Sequence, residues 1–343
     1  DYLGTGREKH SDNHALWVDP EDDLHLLAGT DAGLYETFDQ GITWRHFPNL
    51  PISQFYKVAV DNASPFYNVM VGAQDLGTLL GPSRTMITEG VRNQDWYVPL
   101  GADGYGVAFD PEDNNIGYME YQQGYMFRHY RDSNELVHIQ PQPAPGDAPE
   151  RWNWDTPILI SPHEPKRIYV GSQRVWRSDD RGDSWRAVSG DLTTNTNRYE
   201  LPYRGRVWSV DDLHDNDAMS KYATITAISE SPVSEGVIYT GSDDGLIHVT
   251  TDGGDTWRRT KDLPGLPERI FINDIEASFF DADTVFAVAD VHKLGDFSPY
   301  VFVSNNQGRN WRSISGDLPG ASIIWAIQQD HENPDLLFVA AEY

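Results

Sequence analysis

Short runs rich in β-branched and aromatic residues recur along the chain, each closing on Asp-Pro, Ser-Pro or similar turn residues. They occupy positions 14–19, 56–61, 105–110, 157–161, 224–229, 273–278 and 323–328. Each is followed by a second run: 24–29, 68–72, 116–121, 167–171, 237–241, 284–289 and 336–340. Runs this short, bounded by turn residues, read as strands joined in hairpins. Seven hairpins at roughly the 40–50-residue pitch of propeller blades predict a radial repeat.

A second pattern supplies the outer half of the blades. Thr37-Phe38-Asp39-Gln40-Gly41-Ile42-Thr43-Trp44 returns around Asp180, Gly182 and Trp185, and again around Asp252, Gly254 and Trp257. A degenerate copy carries Asn306 in the Asp place, with Gly308 and Trp311. The Asp side chain folds back onto backbone N–H groups of its own turn, and the Gly takes a positive φ. The Ser or Thr adds a hydroxyl partner, and the Trp opens the next strand and packs between sheets. Each copy therefore reads as the turn between strands C and D of a blade.

The prediction is an all-β, seven-bladed β-propeller in one unit over 1–343. Its blades run 12–50, 54–100, 103–140, 152–190, 222–262, 271–316 and 322–343. The seventh has strands A and B only, so it is either incomplete or closed by residues 1–11, since an open blade leaves unpaired edges. Residues 189–221 read as an inserted polar loop, and 141–149 as a Pro-rich connector. The abrupt start at Asp1 and stop at Tyr343 read as cut ends.

Composition narrows the partners. Fifty-three acids against 26 Lys and Arg leave a formal charge of -27, which disfavours nucleic acid and anionic membrane surfaces. Cations, neutral sugars and basic peptides stay open, and so does a plain solubility role for the acidity. There is no Cys, so no disulfide framework exists. No apolar run is long enough to span a bilayer as a helix, and no signal peptide opens the chain. Eleven Trp and 17 Tyr call for repeated packing slots or a stacking surface.

These residues resemble the Asp-box, or bacterial-neuraminidase-repeat, propeller superfamily. Segments 12–20, 152–163 and 241–246 look most like the large secreted bacterial propellers related to the sortilin ectodomain, and more distantly like two-propeller xyloglucan-hydrolysing glycosidases. The resemblance implies a secreted or periplasmic protein. It also implies a longer parent chain with further domains or a second propeller.

In such a fold the B–C and D–A connections share the funnel face, so Asp39, Asp180, Asp252 and Asn306 are expected to be structural. The funnel face is expected to collect Asp31, Gln74, Asp75, Asp103, Tyr105, Gln122, Trp152, Trp154, Asp155, Gln173, Asp243, Asp244 and His292. Acids and amides hydrogen-bond hydroxyls, and aromatic faces stack on sugars, so a carbohydrate or peptide ligand in the funnel is the leading expectation. The bland counterpart is that these polar groups cap strands and tie blades together; Asp31-Ala32-Gly33 and Asp243-Asp244-Gly245 also read as ordinary turns.

A glycoside hydrolase would need two facing carboxylates. Asp103, set among glycines, is the preferred acid, with Asp243 or Asp31 as its partner. Sialidase chemistry is disfavoured, because no three arginines can be placed around one point. A scaffold for protein–protein contacts is the third reading. No cofactor is called for. His10, Asp12 and His14 alternate on one strand face with zinc-like donors, although a funnel-lining role is preferred for them. A structural cation among the loop carboxylates fits their chemistry, without an EF-hand spacing.

Overall fold

The computed structural model describes residues 9–50, 52–202, 205–208 and 221–342. The described residues fold into seven antiparallel sheets taken in sequence order, six of four strands and one of two. Blade 1 holds β1 (Asn13–Val18), β2 (Leu26–Thr30), β3 (Gly33–Thr37) and β4 (Arg45–His46). Blade 2 holds β5 (Lys57–Val60), β6 (Asn68–Ala73), β7 (Gly77–Pro82) and β8 (Tyr97–Leu100). Blade 3 holds β9 (Gly104–Phe109), β10 (Ile116–Tyr121), β11 (Tyr125–Tyr130) and β12 (Glu135–His138). Blade 4 holds β13 (Ile158–Ile160), β14 (Ile168–Gly171), β15 (Val175–Ser178) and β16 (Arg186–Ala187). Blade 5 holds β17 (Ile225–Glu230), β18 (Ile238–Ser242), β19 (Ile247–Thr250) and β20 (Arg258–Arg259). Blade 6 holds β21 (Phe271–Ala277), β22 (Val285–Val291), β23 (Asp296–Ser304) and β24 (Arg312–Ser313). Blade 7 holds β25 (Ile324–Gln329) and β26 (Leu337–Ala341). This is the seven-bladed β-propeller that the hairpin spacing predicts, with a two-stranded last blade. The alternative closure by residues 1–11 rests largely on 1–8, which lie outside the described residues.

The repeated turn does what its composition requires. In blade 1, Thr37 Oγ1 donates to Asp39 Oδ1 at 2.7 Å and accepts from Gly41 N–H at 2.9 Å. Asp39 accepts in turn from Thr43 N–H at 2.8 Å and Thr43 Oγ1 at 2.7 Å. These bonds, led by the Thr43 hydroxyl, hold the Asp39 carboxyl down at about 2. The same lattice forms around Asp180 with Ser178 and Ser184, and around Asp252 with Thr250 and Thr256. Asn306 keeps the part an amide oxygen can play, accepting from Ser304 Oγ and Asn310 N–H. Each turn also donates a backbone N–H to the A–B connection of its own blade, for example Arg181 to Lys166 and Gln307 to Asp283. The turns thus lie on the A–B face.

Apolar clusters fill the wedges between blades. One such cluster lies in each wedge from blades 2 and 3 through to blades 6 and 7. The strand-D tryptophans reach backwards across these wedges. Trp185 Nε1 donates to Ile139 O at 2.7 Å, and Trp257 Nε1 to Val188 O at 2.8 Å. Trp44 and Trp311 hold the same sequence position, yet the Trp311 indole N–H is buried with no partner. Trp185→Phe is therefore expected to cost about 1 kcal/mol more than Trp311→Phe, since only the first breaks a made hydrogen bond. Chemical denaturation of the two variants measures this; equal costs would contradict it. Polar bonds reinforce the wedges, as in the pairing of Arg181 with the fully buried Asp110 side chain across blades 3 and 4. Among the described residues no apolar cluster joins blade 1 to a neighbour, and all six residues of β1 are exposed.

Candidate functional site

The B–C and D–A connections lie on the face opposite the repeated turns, and most candidate residues sit there. Near that end the A strand shifts register against strand B in blades 1, 3, 5, 6 and 7. Bulges of this kind re-aim side chains.

Blades 1 to 3 build one continuous rim. Asp31 N–H donates to Asp12 O at 3.1 Å, and His14 pairs with the Asp31 carboxylate. Carboxylate oxygens of Asp12, Asp31 and Asp75 all lie within 4.8 Å of one another. Asp75 N–H donates to Asp103 Oδ1 at 3.1 Å, and Asp103 N–H to Gln122 Oε1 at 3.1 Å. Asp75 sits at φ 65°, in the tight turn ahead of Gly77. Partial burial, with Asp31 and then Asp103 as like-charged neighbours, pushes its carboxyl up to about 6. Below them Gln74 Oε1 accepts from both Tyr56 Oη, at 2.8 Å, and Tyr105 Oη, at 2.9 Å. Tyr105 is buried, whereas Phe55 and Tyr56 are exposed.

The other half of the funnel face spends its polar groups within the protein. Gln173 Oε1 accepts from Arg151 N–H at 2.8 Å. Asp243 accepts from Thr224 N–H at 2.7 Å and Thr224 Oγ1 at 2.8 Å. Asp244, 1% exposed, accepts from Thr194 and Ser242. His292 is bound to Asp290 and lies edge-on to Trp325.

Several expectations change. Asp31 and Asp103 each lie next to Asp75. Asp243 belongs to a separate network with Thr224 and Asn153, so it does not complete a pair with Asp103. Trp152 is buried in the apolar cluster between blades 3 and 4 and offers no face to a ligand; Trp154 is half-buried, its carbonyl accepting from Gln123 N–H. Asp12 converges with Asp31 and Asp75, and the donors of His10, Asp12 and His14 do not converge as a trio. The all-oxygen group Asp12, Asp31 and Asp75 has the donor chemistry of a hard cation such as Ca²⁺.

The channel beneath the rim holds charges the sequence reading passed over. Lys57 Nζ lies 3.4 Å from Asp155 Oδ2. Asp155 first, then Asp274 and Glu120, hold the Lys57 ammonium in its charged form. Glu120, fully buried, accepts from Thr156 and Gly106 N–H groups; burial and then Asp155 push its carboxyl well up. Asp274 accepts from Ile275 and Ile327 N–H groups, tying blade 6 to blade 7. Lys57 and Glu120 are each the one charge in an otherwise apolar strand, which was the available signal, whereas Asp274 shares its strand with Glu276.

No protein-family profile matches this chain, and no curated protein is similar to it. Solved propellers do match. The WD40 repeats of RRP9 superpose with a TM-score of 0.51 at 13% identity, over 98% of this chain and 88% of that one. U3-55K does so with a TM-score of 0.51 at 13% identity, over 98% of this chain and 90% of that one. The protein is a β-propeller, and at this identity the likeness concerns fold alone. Among the described residues no helix is long and apolar enough to cross a membrane.

Proposed function

We propose that this chain is a secreted or periplasmic Asp-box propeller that binds a ligand on its funnel face, at the rim of blades 1 to 3. Of the two ligand classes, glycan and peptide, the rim favours a peptide presenting a Lys or Arg side chain. The observation that carries this is the convergence of Asp12, Asp31 and Asp75, with Asp103 alongside. Clustered carboxylates repel one another, and an entering cation relieves that repulsion. Exposed Tyr56, bonded to Gln74 next to Asp75, can cover the aliphatic stem of the same side chain.

Titration calorimetry with Lys- and Arg-containing peptides, and with neutral oligosaccharides as comparison, tests the reading. Asp75→Asn is expected to weaken peptide binding by roughly tenfold, the effect of losing about 1.4 kcal/mol of charge contact. Wild-type affinity should fall as pH drops through about 6, where Asp75 takes up its proton. Unchanged affinity in both experiments refutes the proposal.

A hydrolase reading has one observation of its own. Asp75 holds a proton up to about 6 beside Asp31 and Asp103, and a protonated carboxyl next to other carboxylates is the pattern of an acid/base pair. Reducing-sugar release that Asp103→Asn abolishes would favour it over binding. A scaffold role rests on the fold alone.

A further inference from the structure

Away from the funnel, blades 2 and 3 part to leave a cleft of about 670 Å³. Its walls come from A–B connections and from the ends of outer strands, so it opens on the face of the repeated turns. The sequence explains why a cleft opens here. The residue just before strand D is Trp44, Trp96, Trp185, Trp257 or Trp311 in five of the six four-stranded blades. In blade 3 it is Asn134. Trp185 and Trp257 reach back to the preceding blade, and no indole does so from blade 3.

The lining is polar, with Arg131 and the exposed Asp132 as its charged side chains. Asn68, Asn114, Asn115 and Asn134 contribute amides to it. Arg131 is neutralised within the protein: its Nη1 donates to Asp61 Oδ2 at 3.1 Å, and the Asp61 side chain is fully buried. Asn115 spends its amide oxygen on Asp132 N–H at 2.8 Å, and Asn134 spends its own on His129 Nε2 at 3.0 Å. What both side chains have left to offer is their NH₂ donors. Tyr97, 40% exposed, supplies an aromatic ring beside them.

We propose that this cleft is a binding site for a neutral saccharide, with Tyr97 as the platform for a pyranose ring and Asn114, Asn115 and Asn134 as the groups that bind its hydroxyls. An anion finds no unpaired cation there, and the chain's charge of -27 opposes it. A cation finds a single carboxylate, Asp132, among amides whose remaining groups are NH₂ donors. Hydroxyl and ether oxygens accept from amide donors, and the flat apolar face of a sugar ring matches an exposed phenol ring.

The test is saturation-transfer NMR followed by titration calorimetry on the full chain, with neutral trisaccharides of glucose, mannose, galactose and xylose as probes. At least one is expected to bind. Tyr97→Ala, an exposed change that leaves the core intact, should weaken it by roughly tenfold. Ala63→Trp, which places an indole in the cleft, should abolish binding. Asp103→Asn should leave it within about twofold, and Tyr97→Ala should leave any peptide affinity of the funnel rim unchanged, so the two sites fail independently. Absence of binding by every trisaccharide overturns the proposal. So does binding that ignores both cleft variants, or capture of a neutral Gly/Ser peptide in place of the sugars.

Discussion

Raising the pH from about 6.5 to 8 is expected to cost the fold about 2 kcal/mol of stability. Two buried carboxyls drive the loss. Glu276, on the A strand of blade 6, accepts from Gln329 N–H at 2.7 Å and from the Gln328 amide, and so ties blade 6 to blade 7. Burial pushes its carboxyl from 4.5 up to about 8. Burial likewise pushes Asp243 from 3.8 up to about 7, against the pull of its Thr224 hydrogen bonds. The folded chain keeps these protons where the unfolded chain has released them. Their contribution is complete below the unfolded values and disappears as pH rises through the folded ones, at about 1.4 kcal/mol per pH unit for each proton.

Two histidines act in the other direction, but lower in pH. Burial lowers His248 from 6.5 to about 4 and lowers His129 as well, so their contribution is present above 6.5 and lost on acidification. Asp39 and Asp252, held at about 2, lose theirs only below 3.8. Between about 6.5 and 8 the carboxyls are therefore unopposed by these groups. Denaturant unfolding across that range should show the decline. Glu276→Gln, which keeps an acceptor oxygen and removes the ionisation, should flatten the profile and be the more stable protein at about pH 8. A flat wild-type profile would falsify the assignment.

The fold was legible because its signals are local. Each hairpin carries its own alternation and its own stop, and each repeated turn closes hydrogen bonds within about eight residues. The first-strand runs at 14–19 and 157–161 correspond to Asn13–Val18 and Ile158–Ile160. The site was less legible because it depends on where the ring brings distant turns. Asp31, Asp75 and Asp103 could each be named as a turn acid, yet only the arc of blades 1 to 3 makes them neighbours. Asp243 and Asp244 look the same in sequence, but they are consumed by Thr224 and Thr194, which arrive from other loops, and by the neighbouring Ser242. Trp152 shows the same limit for aromatics. A Trp in a D–A connection can face the funnel or the wedge, and Gly124 decides for the wedge by leaving room for the indole. Lys57 and Glu120 are single charges in apolar strands, but a charge on one strand does not reveal that its partner is two blades away.

Gly72→Ala is expected to destabilise the protein by about 3 kcal/mol or more. Gly72 lies near the end of strand B in blade 2, where strand A of blade 3 crosses it. A Cβ placed there would lie 2.1 Å from Tyr105 O and 2.7 Å from Tyr105 N. The same crossing recurs at Gly171 against Ile225, 2.6 Å from its Cγ2, and at Gly241 against Ile272, 2.3 Å from its Cγ2. None of these three glycines has a positive φ, so the requirement is close approach rather than backbone conformation. Both isoleucines meet the added carbon with side-chain atoms, Cγ2 and, at 2.8 Å, Cβ. A rotamer change clears the Cγ2 contact and a small shift must clear the other, so Gly171→Ala and Gly241→Ala should cost about 1–3 kcal/mol. Tyr105 meets Gly72 with its backbone and cannot yield, so blade 3 must move as a body. That displacement would also separate Asp75 from Asp103 and loosen the Tyr105 hydroxyl from Gln74. The rim should therefore lose affinity in Gly72→Ala at temperatures where the variant is still folded. Gly29→Ala is the control, because its Cβ would meet only Ala15 Cβ, at an ordinary 3.5 Å. Thermal and denaturant unfolding of the four variants should rank Gly72 worst, Gly171 and Gly241 next, and Gly29 near wild type. If Gly72→Ala matched Gly29→Ala, the close crossing of blades 2 and 3 would not be what fixes the spacing of the rim.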